Sequence, residues 1–386
     1  MNKEIFCWSC SSKRVIKKGK YISPKKSFWK QQYKCLNCGL RFNDQTKHLI
    51  DYEPMPFQYK SKPVPQQDWS AYSKAQIQEK LMLLDLVSEL TDLIEIKKSK
   101  TVGRNKFDLK DIVFCLTLKA YTKLSSRCLT SDLELAKQKE FVSNVPHFTN
   151  LMNYLDDKRL TPLFFELIRL SALPLKQVEV DFVIDSSGFS TNQFGRWLDY
   201  KFNGDTRYRK WIKAHIMNGV KSNIITSVEI SDGHAGDSPR FIPLVNKTKI
   251  DFSIKEVSAD KAYLSKANQK AVIEARETPF ISYKEGHKIK RKGMTIWNKL
   301  YWYFRNKPQE WGEHYHKRSN VETCFHMIKT KFGKELITKN ETANKNELLL
   351  KIFCYNLCCL IQEYFENNID SNFNLYKKIE VKLNAR

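Results

Sequence analysis

No run of 18 or more apolar residues occurs among these 386 residues, and the opening Met-Asn-Lys-Glu-Ile-Phe-Cys has no signal-peptide pattern. A membrane-bound or exported protein is not what such text describes. Acid is scarce: 42 Asp and Glu stand against 66 Lys and Arg, giving a formal net charge of +24. An excess of that size points to a polyanionic partner, nucleic acid before membrane surface. Internal repeats are absent. So is a disulfide framework, because four of the ten cysteines sit in paired C-x-x-C knuckles. The other six (Cys115, Cys128, Cys324, Cys354, Cys358 and Cys359) lie in apolar helical text, where a thiol behaves as a small hydrophobe. The expected setting is reducing and intracellular.

The knuckles are Cys7-Trp-Ser-Cys10 and Cys35-Leu-Asn-Cys38-Gly39, with 24 residues between them. Four thiolates at that spacing suit tetrahedral Zn²⁺, and the glycine suits the tight turn of a knuckle. From Cys7 to Arg41 there are ten Lys or Arg and no acidic residue, interleaved with Trp8, Tyr21, Phe28, Trp29 and Tyr33. Cations match phosphates and aromatic faces stack on bases, so this module reads as DNA-binding. A purely structural ribbon that docks a protein is the competing reading; a redox dithiol is weaker, since two matched pairs are one too many.

Residues 1–48 form this module, and 49–68, with Pro54, Pro56, Pro63 and Pro65, read as an extended linker. Residues 69–174 are helical text, suited to DNA binding or dimerisation. There Ile77, Leu81 and Leu84 keep helical spacing, Asp108 to Tyr121 carries a dense apolar face, and Thr161-Pro162 reads as an N-cap with proline at the first helical position. Ser131 and Thr149, each before a short helix, suggest a helix-turn-helix. At Gln177 the texture changes. Val178–Ile184, Trp211–Val220 and Ile224–Ile230 are β-branched runs bounded by turn residues. A helix from Ser238-Pro239, a strand at Ile254–Ala259, a helix at Ser265–Arg276 and a strand at Pro279–Tyr283 follow. A long helix around Glu322 and an apolar one from Asn346 to Phe365 complete residues 175–365; 366–386 are a tail. The class is α/β. Three strands, then helix, strand, helix, strand and helix is the order of a ribonuclease-H-like mixed-sheet domain, here preceded by a zinc ribbon and an all-helical region.

A two-metal phosphoryl-transfer site needs several converging carboxylates, and active-site residues usually sit at strand ends. Asp185 follows the first strand in Val-Ile-Asp185-Ser-Ser-Gly-Phe, and Asp260 follows the fourth in Ser-Ala-Asp260-Lys-Ala-Tyr. Tyr315, Arg318, Glu322 and Lys329 stand at offsets 0, 3, 7 and 14. On one continuous helix they would share a stripe roughly 60° wide. A carboxylate beside two cations and a tyrosine suits a metal held against phosphate; a solvated helix face is the plain alternative.

In these residues the chain resembles the DDE transposases of bacterial and archaeal insertion sequences, in the group marked by Y-x2-R-x3-E-x6-K. That signature reads Tyr315-His-Lys-Arg318-Ser-Asn-Val-Glu322-Thr-Cys-Phe-His-Met-Ile-Lys329, without departure in spacing. The Asp185 and Asp260 contexts, and Ser231-Asp-Gly-His-Ala-Gly-Asp237-Ser-Pro239 between them, are similar to the family as well. The likeness spans roughly residues 175–365. It implies Mg²⁺ or Mn²⁺ held by Asp185, Asp260 and Glu322, with Arg318 and Lys329 neutralising phosphate charge and Tyr315 placing DNA. The implied partner is double-stranded DNA, at terminal inverted repeats and target, bound by a homodimer in the prokaryotic cytoplasm at the nucleoid. Asp181 is the runner-up for the first aspartate. Asp237 reads as a helix-terminal charge near the site, and His234 and His314 as ordinary polar residues. Trp297, in competition with Trp302 and Trp311, is the aromatic that would hold a flipped base. A non-catalytic, domesticated DNA-binding protein and a nuclease without strand transfer are the alternatives.

Overall fold

The computed structural model describes residues 5–7, 12–23, 26–39, 41–43, 67–96, 107–191, 201, 211–275, 277–283, 296–373, 376 and 378–381. Residues 1–64 with 283–309 form one unit, and 65–282 with 310–386 a second.

In the first unit, β1 (Val15–Ser23), β2 (Lys26–Cys35) and β3 (Arg41–Asn43) make an antiparallel meander. Tyr33 and Cys35 share one face of β2, as the two-residue strand period requires, and Phe42 stacks on Tyr33 at 5.8 Å. Cys7, Tyr33, Cys35 and Phe42 are the buried centre. Gly39 turns the chain at φ +75°, a left-handed conformation that a side chain resists, and its N–H donates to the Cys35 carbonyl.

The second unit opens with α1 (Trp69–Asp92), whose N-cap Asp68 accepts the Ala71 N–H at 2.9 Å. Ile77, Leu81 and Leu84 do keep helical spacing, but of the three only Leu84 is buried: Ile77 is 82% and Leu81 62% exposed, and the core also takes Ala75, Leu83, Leu86, Val87 and Leu90. A 24-residue helix can carry two apolar stripes, and only packing decides which one is covered. After β4 (Ile94–Ile96) come α2 (Leu109–Thr122), α3 (Leu129–Gln138), α4 (Phe148–Leu155) and α5 (Thr161–Ala172). Helix α5 begins one residue earlier than expected: Leu160 is at the cap, and Thr161 Oγ1 is bonded to Asn346 Oδ1 at 2.7 Å instead of capping.

The sheet is built from β5 (Asp181–Ser190), β6 (Trp211–Gly219), β7 (Ile225–Asp232), β8 (Glu256–Ala259) and β9 (Thr278–Ile281) in the order β7-β6-β5-β8-β9. Strand β6 is antiparallel to both neighbours, while β5, β8 and β9 run parallel. Helices α6 (Phe241–Lys249) and α7 (Lys266–Glu274) intervene. Then come α8 (Ile296–Asn306, in the first unit), α9 (Pro308–Tyr315), a 3₁₀ turn His316–Arg318, α10 (Ser319–Phe332), α11 (Glu341–Asn367) and β10 (Ile379–Val381), which pairs with β4.

Two expectations need correction. Asp185 does not end its strand: β5 runs on to Ser190 because β6 pairs with it all the way, and only the parallel pairing with β8 stops at Ile184↔Ala259. The helix expected around Glu322 is not continuous from Tyr315 to Lys329, because the 3₁₀ turn interrupts it. A 3₁₀ turn has three residues rather than 3.6, so the helical phase slips and the common stripe does not exist as drawn.

Helices α1, α2 and α5 pack on α11, and a single apolar core runs through helices and sheet. Buried Asn356 of α11 fastens the layers: its Nδ2 donates to the carbonyls of Ile168 and Ile225, and its Oδ1 accepts the Ile225 N–H at 3.0 Å. Among the described residues, α11 alone is long and apolar enough to cross a membrane, and 78% of that stretch is buried inside the protein. It is a core helix.

Candidate active site

Ile184 and Ala259 face each other as the last pair of the β5–β8 ladder, and the next residue on each strand is an aspartate. Parallel strands lie about 4.8 Å apart, so Asp185 and Asp260 stand side by side. The 3₁₀ turn lies over this edge. Arg318 donates from Nη1 to Asp185 Oδ2 at 3.0 Å and from Nη2 to Glu322 Oε1 at 2.7 Å, so one guanidinium bridges two carboxylates. Glu322 sits in the first turn of α10, where the helix N-terminus favours a negative charge, and its side chain is 59% exposed.

The electrostatics place all three acids in one field. Burial raises the Asp185 carboxyl above its usual range, and the charges of Asp260 and Glu322 push the same way, against the Ser186 N–H (2.8 Å) and Arg318. Tyr315, at the end of α9, is raised by burial; it is hydrogen-bonded to Ser282 and Arg318 and feels Asp260. Asp260 itself accepts the Lys261 N–H at 2.6 Å. Lys329 does not stand beside Glu322. Seven residues down α10, its ammonium donates to Ser187 Oγ at 2.7 Å and lies over the Phe189 ring, and burial lowers its pKa. Ser187 shares a strand face with Asp185 and lies about 7 Å beyond it. Arg318 and Lys329 thus reach one face of β5, and Tyr315 and Glu322 are bonded to Arg318, through three separate pieces of backbone.

Behind the acids is a buried polar layer that sequence reading passed over. His215 of β6, opposite Ser186, is fully buried, with Nε2 at 2.8 Å from Ser231 Oγ and Nδ1 at 3.4 Å from the Tyr263 hydroxyl. Tyr263 in turn bonds Ser186. Burial lowers the His215 pKa to about 4. A lone histidine inside the apolar run Trp211–Gly219 was the available signal. Asp237 is taken by Lys213 at 3.0 Å, on the sheet side of this layer. Asp181, the runner-up for the first aspartate, belongs to the opposite end of β5, where Lys317 holds it at 2.6 Å. His314 pairs with Glu256 at 2.8 Å rather than reaching the acids, and His234 packs against Trp211. Trp311 is buried against Phe280, whereas Trp297 stands in the first unit beside Tyr283.

In the ribbon, Cys7, Cys35 and Cys38 bring their sulfurs within 4.8 Å of one another, with Cys7 and Cys38 3.5 Å apart. Sulfurs about 2.3 Å from a tetrahedral zinc lie roughly 3.8 Å from each other, so the trio fits that ion. Cys10, the expected fourth ligand, lies outside the described residues. Among the described residues no other group of three acids, cysteines or histidines closes to this distance.

The mixed α/β sheet thus carries two acids just past the end of the β5–β8 ladder, with a third carboxylate on the helix after the 3₁₀ turn and cations beside them. Residues 176–357 match the family model of the transposase DDE domain. This supports a DDE transposase, and the mixed sheet fits the catalytic domain of one. Among solved structures, the cryo-EM structure of the piggyBac transposase synaptic complex with hairpin DNA aligns over 72% of this chain and 70% of its own, at 11% identity and a TM-score of 0.34.

Proposed function

We propose that this protein is a prokaryotic insertion-sequence transposase that binds the terminal inverted repeats of its element as a homodimer and cuts and joins DNA at their ends. The observation that carries the reading is the convergence of Asp185, Asp260 and Glu322 on Arg318, in a ribonuclease-H-like strand order and inside the matched family segment. Asp185, Asp260 and Glu322 would hold divalent Mg²⁺ or Mn²⁺, which supplies charge neutralisation at the scissile phosphate and a more acidic attacking water or 3′-hydroxyl. The Asp185 carboxyl, raised chiefly by burial and further by the charges of Asp260 and Glu322, fits that role, since a bound cation would offset both. Arg318 orients the carboxylates with one edge of its fork and offers charge to a phosphate beside them. Lys329, fixed on Ser187, extends the positive lining along β5. Tyr315 places its hydroxyl next to Arg318, where a DNA backbone would pass.

The ribbon would bind about one Zn²⁺ through Cys7, Cys10, Cys35 and Cys38 and contribute phosphate contacts through its acid-free basic stretch. The helices of residues 69–174 would add end recognition. The test is a cleavage assay with Mg²⁺ on a duplex carrying the inverted repeats that flank the gene. Nicking at the repeat ends by the wild type and its loss in Glu322→Gln, with DNA affinity retained, is expected. Equal end cleavage by both proteins would sink the assignment. Affinity should also fall steeply with salt, with a log–log slope of about −0.9 per phosphate neutralised.

A further inference from the structure

Two consecutive residues of the 3₁₀ turn reach different points on the same strand. Arg318 goes to Asp185, while Lys317 goes to Asp181, four residues earlier and about 13 Å away along β5. The Lys317 ammonium is held by Asp181 Oδ2 at 2.6 Å and Glu256 Oε2 at 2.9 Å. These acids are a register pair across β5 and β8, so the lysine clips both strands at once. The same Glu256 oxygen takes His314 Nδ1 at 2.8 Å, and the His314 ring lies flat on Phe280 at 4.4 Å. The His314 carbonyl accepts the Ser258 hydroxyl at 3.1 Å. Residues 314 and 317 are therefore both fastened to β8, one on each side of Tyr315.

That arrangement constrains Arg318. In a 3₁₀ turn successive side chains lie about 120° apart, so a fixed Lys317 leaves Arg318 one direction, toward Asp185 and Glu322. Stability alone does not account for the cluster, because well-packed apolar residues usually serve a buried site as well as an ion pair does. What directed ion pairs add is orientation, the property that a site built on a turn lacks without a supporting shell. None of Lys317, Glu256, His314 and Asp181 is a residue that the Y-x2-R-x3-E-x6-K signature specifies; Lys317 fills one of its x positions.

We infer that Lys317, clamped between Asp181 and Glu256, is a positioning residue that aims Arg318 at the acid cluster; this rests on the reading of that cluster as the phosphoryl-transfer centre. In the full-length protein, Lys317→Met keeps the stem and removes the charge. With Mg²⁺ and a pre-bound repeat duplex, its single-turnover cleavage rate should fall roughly 10- to 100-fold, the scale of a catalytic group displaced by about 1 Å, with DNA affinity unchanged. Lys317→Arg should recover most of that loss. On an Arg318→Ala background Lys317→Met should cost nothing further, because it acts through Arg318. Losses that multiply on that background, or that match the loss of folded protein, would overturn the inference. If Lys317→Met fails to fold, the triple variant Asp181→Asn, Glu256→Gln, Lys317→Met leaves no buried charge unpaired and should be folded but slow; folded and fast is the opposing result. A crystal structure of the folded variant decides independently of activity. The 3.0 Å Arg318–Asp185 contact should be gone, and its persistence would refute the clamp even if full activity of Glu322→Gln had already removed the catalytic reading.

Discussion

The ribbon closes around Cys7, Tyr33, Cys35 and Phe42, whereas the sheet unit closes around one apolar core that runs from Ala75 to Phe373. In the proposed reading each unit would hold metal, the ribbon through its sulfurs and the sheet unit through its acids, but to different ends. Among the described residues the meander's apolar centre is small, so in the proposed reading its sulfurs would supply folding energy through a metal. The sheet unit has a large core of its own, so in the proposed reading its three acids would serve the chemistry rather than the fold. On that reading, metal would be scaffold in one unit and part of the reactive centre in the other.

The contrast is sharpest under metal removal. Cys35→Ser, or chelation, should unfold the ribbon, because structural zinc contributes on the order of 10–16 kcal/mol to such modules. Amide protection in 15–43 should vanish while the main thermal transition stays. Finding no zinc in purified, reduced protein would break the comparison at its first term. Next in size is Glu322→Gln, which should lower Mg²⁺-dependent cleavage on the order of 10³-fold or more without lowering the melting temperature. Asp185→Asn and Asp260→Asn should behave alike, and the three losses should not add. A large fall in stability in any of them would mean that the acids are structural after all.

Smaller effects probe the core that allows this division. Leu83→Ala, at a fully buried position, should cost about 2–5 kcal/mol in urea unfolding, the usual range for such truncations. His215 gives a pH signature. It is fully buried and its pKa is lowered to about 4, so the unfolded chain binds the proton first. Its contribution is complete above pH 6.5, the ordinary histidine value, and is lost as pH falls toward 4. Over that window the stability of wild type relative to His215→Gln should fall by about 2–3 kcal/mol. A flat difference would show that the imidazole is not held neutral. The smallest effect is at Ile77, where exposure of 82% predicts that Ile77→Ser stays within about 0.5 kcal/mol. A larger loss would mean that the face first read from spacing is covered after all.

Much of the candidate site was legible because its residues follow apolar strand text or stand in one short segment. Asp185 and Asp260 each follow an apolar run, and the spacing from Tyr315 to Lys329 is local text. The identity of the residues behind them was not legible. His215, Tyr263 and Lys317 come from a strand interior, a 3₁₀ turn and a position inside the signature but not part of it, and only pairing across β5, β6 and β8 brings them to the acids.

Composition, cysteine spacing and the alternation of strand and helix text are local quantities, and they determined the excess of positive charge, the pairing of the N-terminal cysteines and most of the order of elements along the chain. Choice among equivalent local patterns was left to long-range packing. Helix α1 had two apolar stripes, and contact with α11 chose the one through Leu83 and Leu90 over the one through Ile77 and Leu81. The four signature residues fit one helix on paper, yet fastening His314 and Lys317 to β8 and β5 breaks that helix at 316–318 and brings Arg318 between two carboxylates. A hydrogen bond between residues 133 apart has no counterpart in periodicity, because the energy that favours it exists only once the strands have paired.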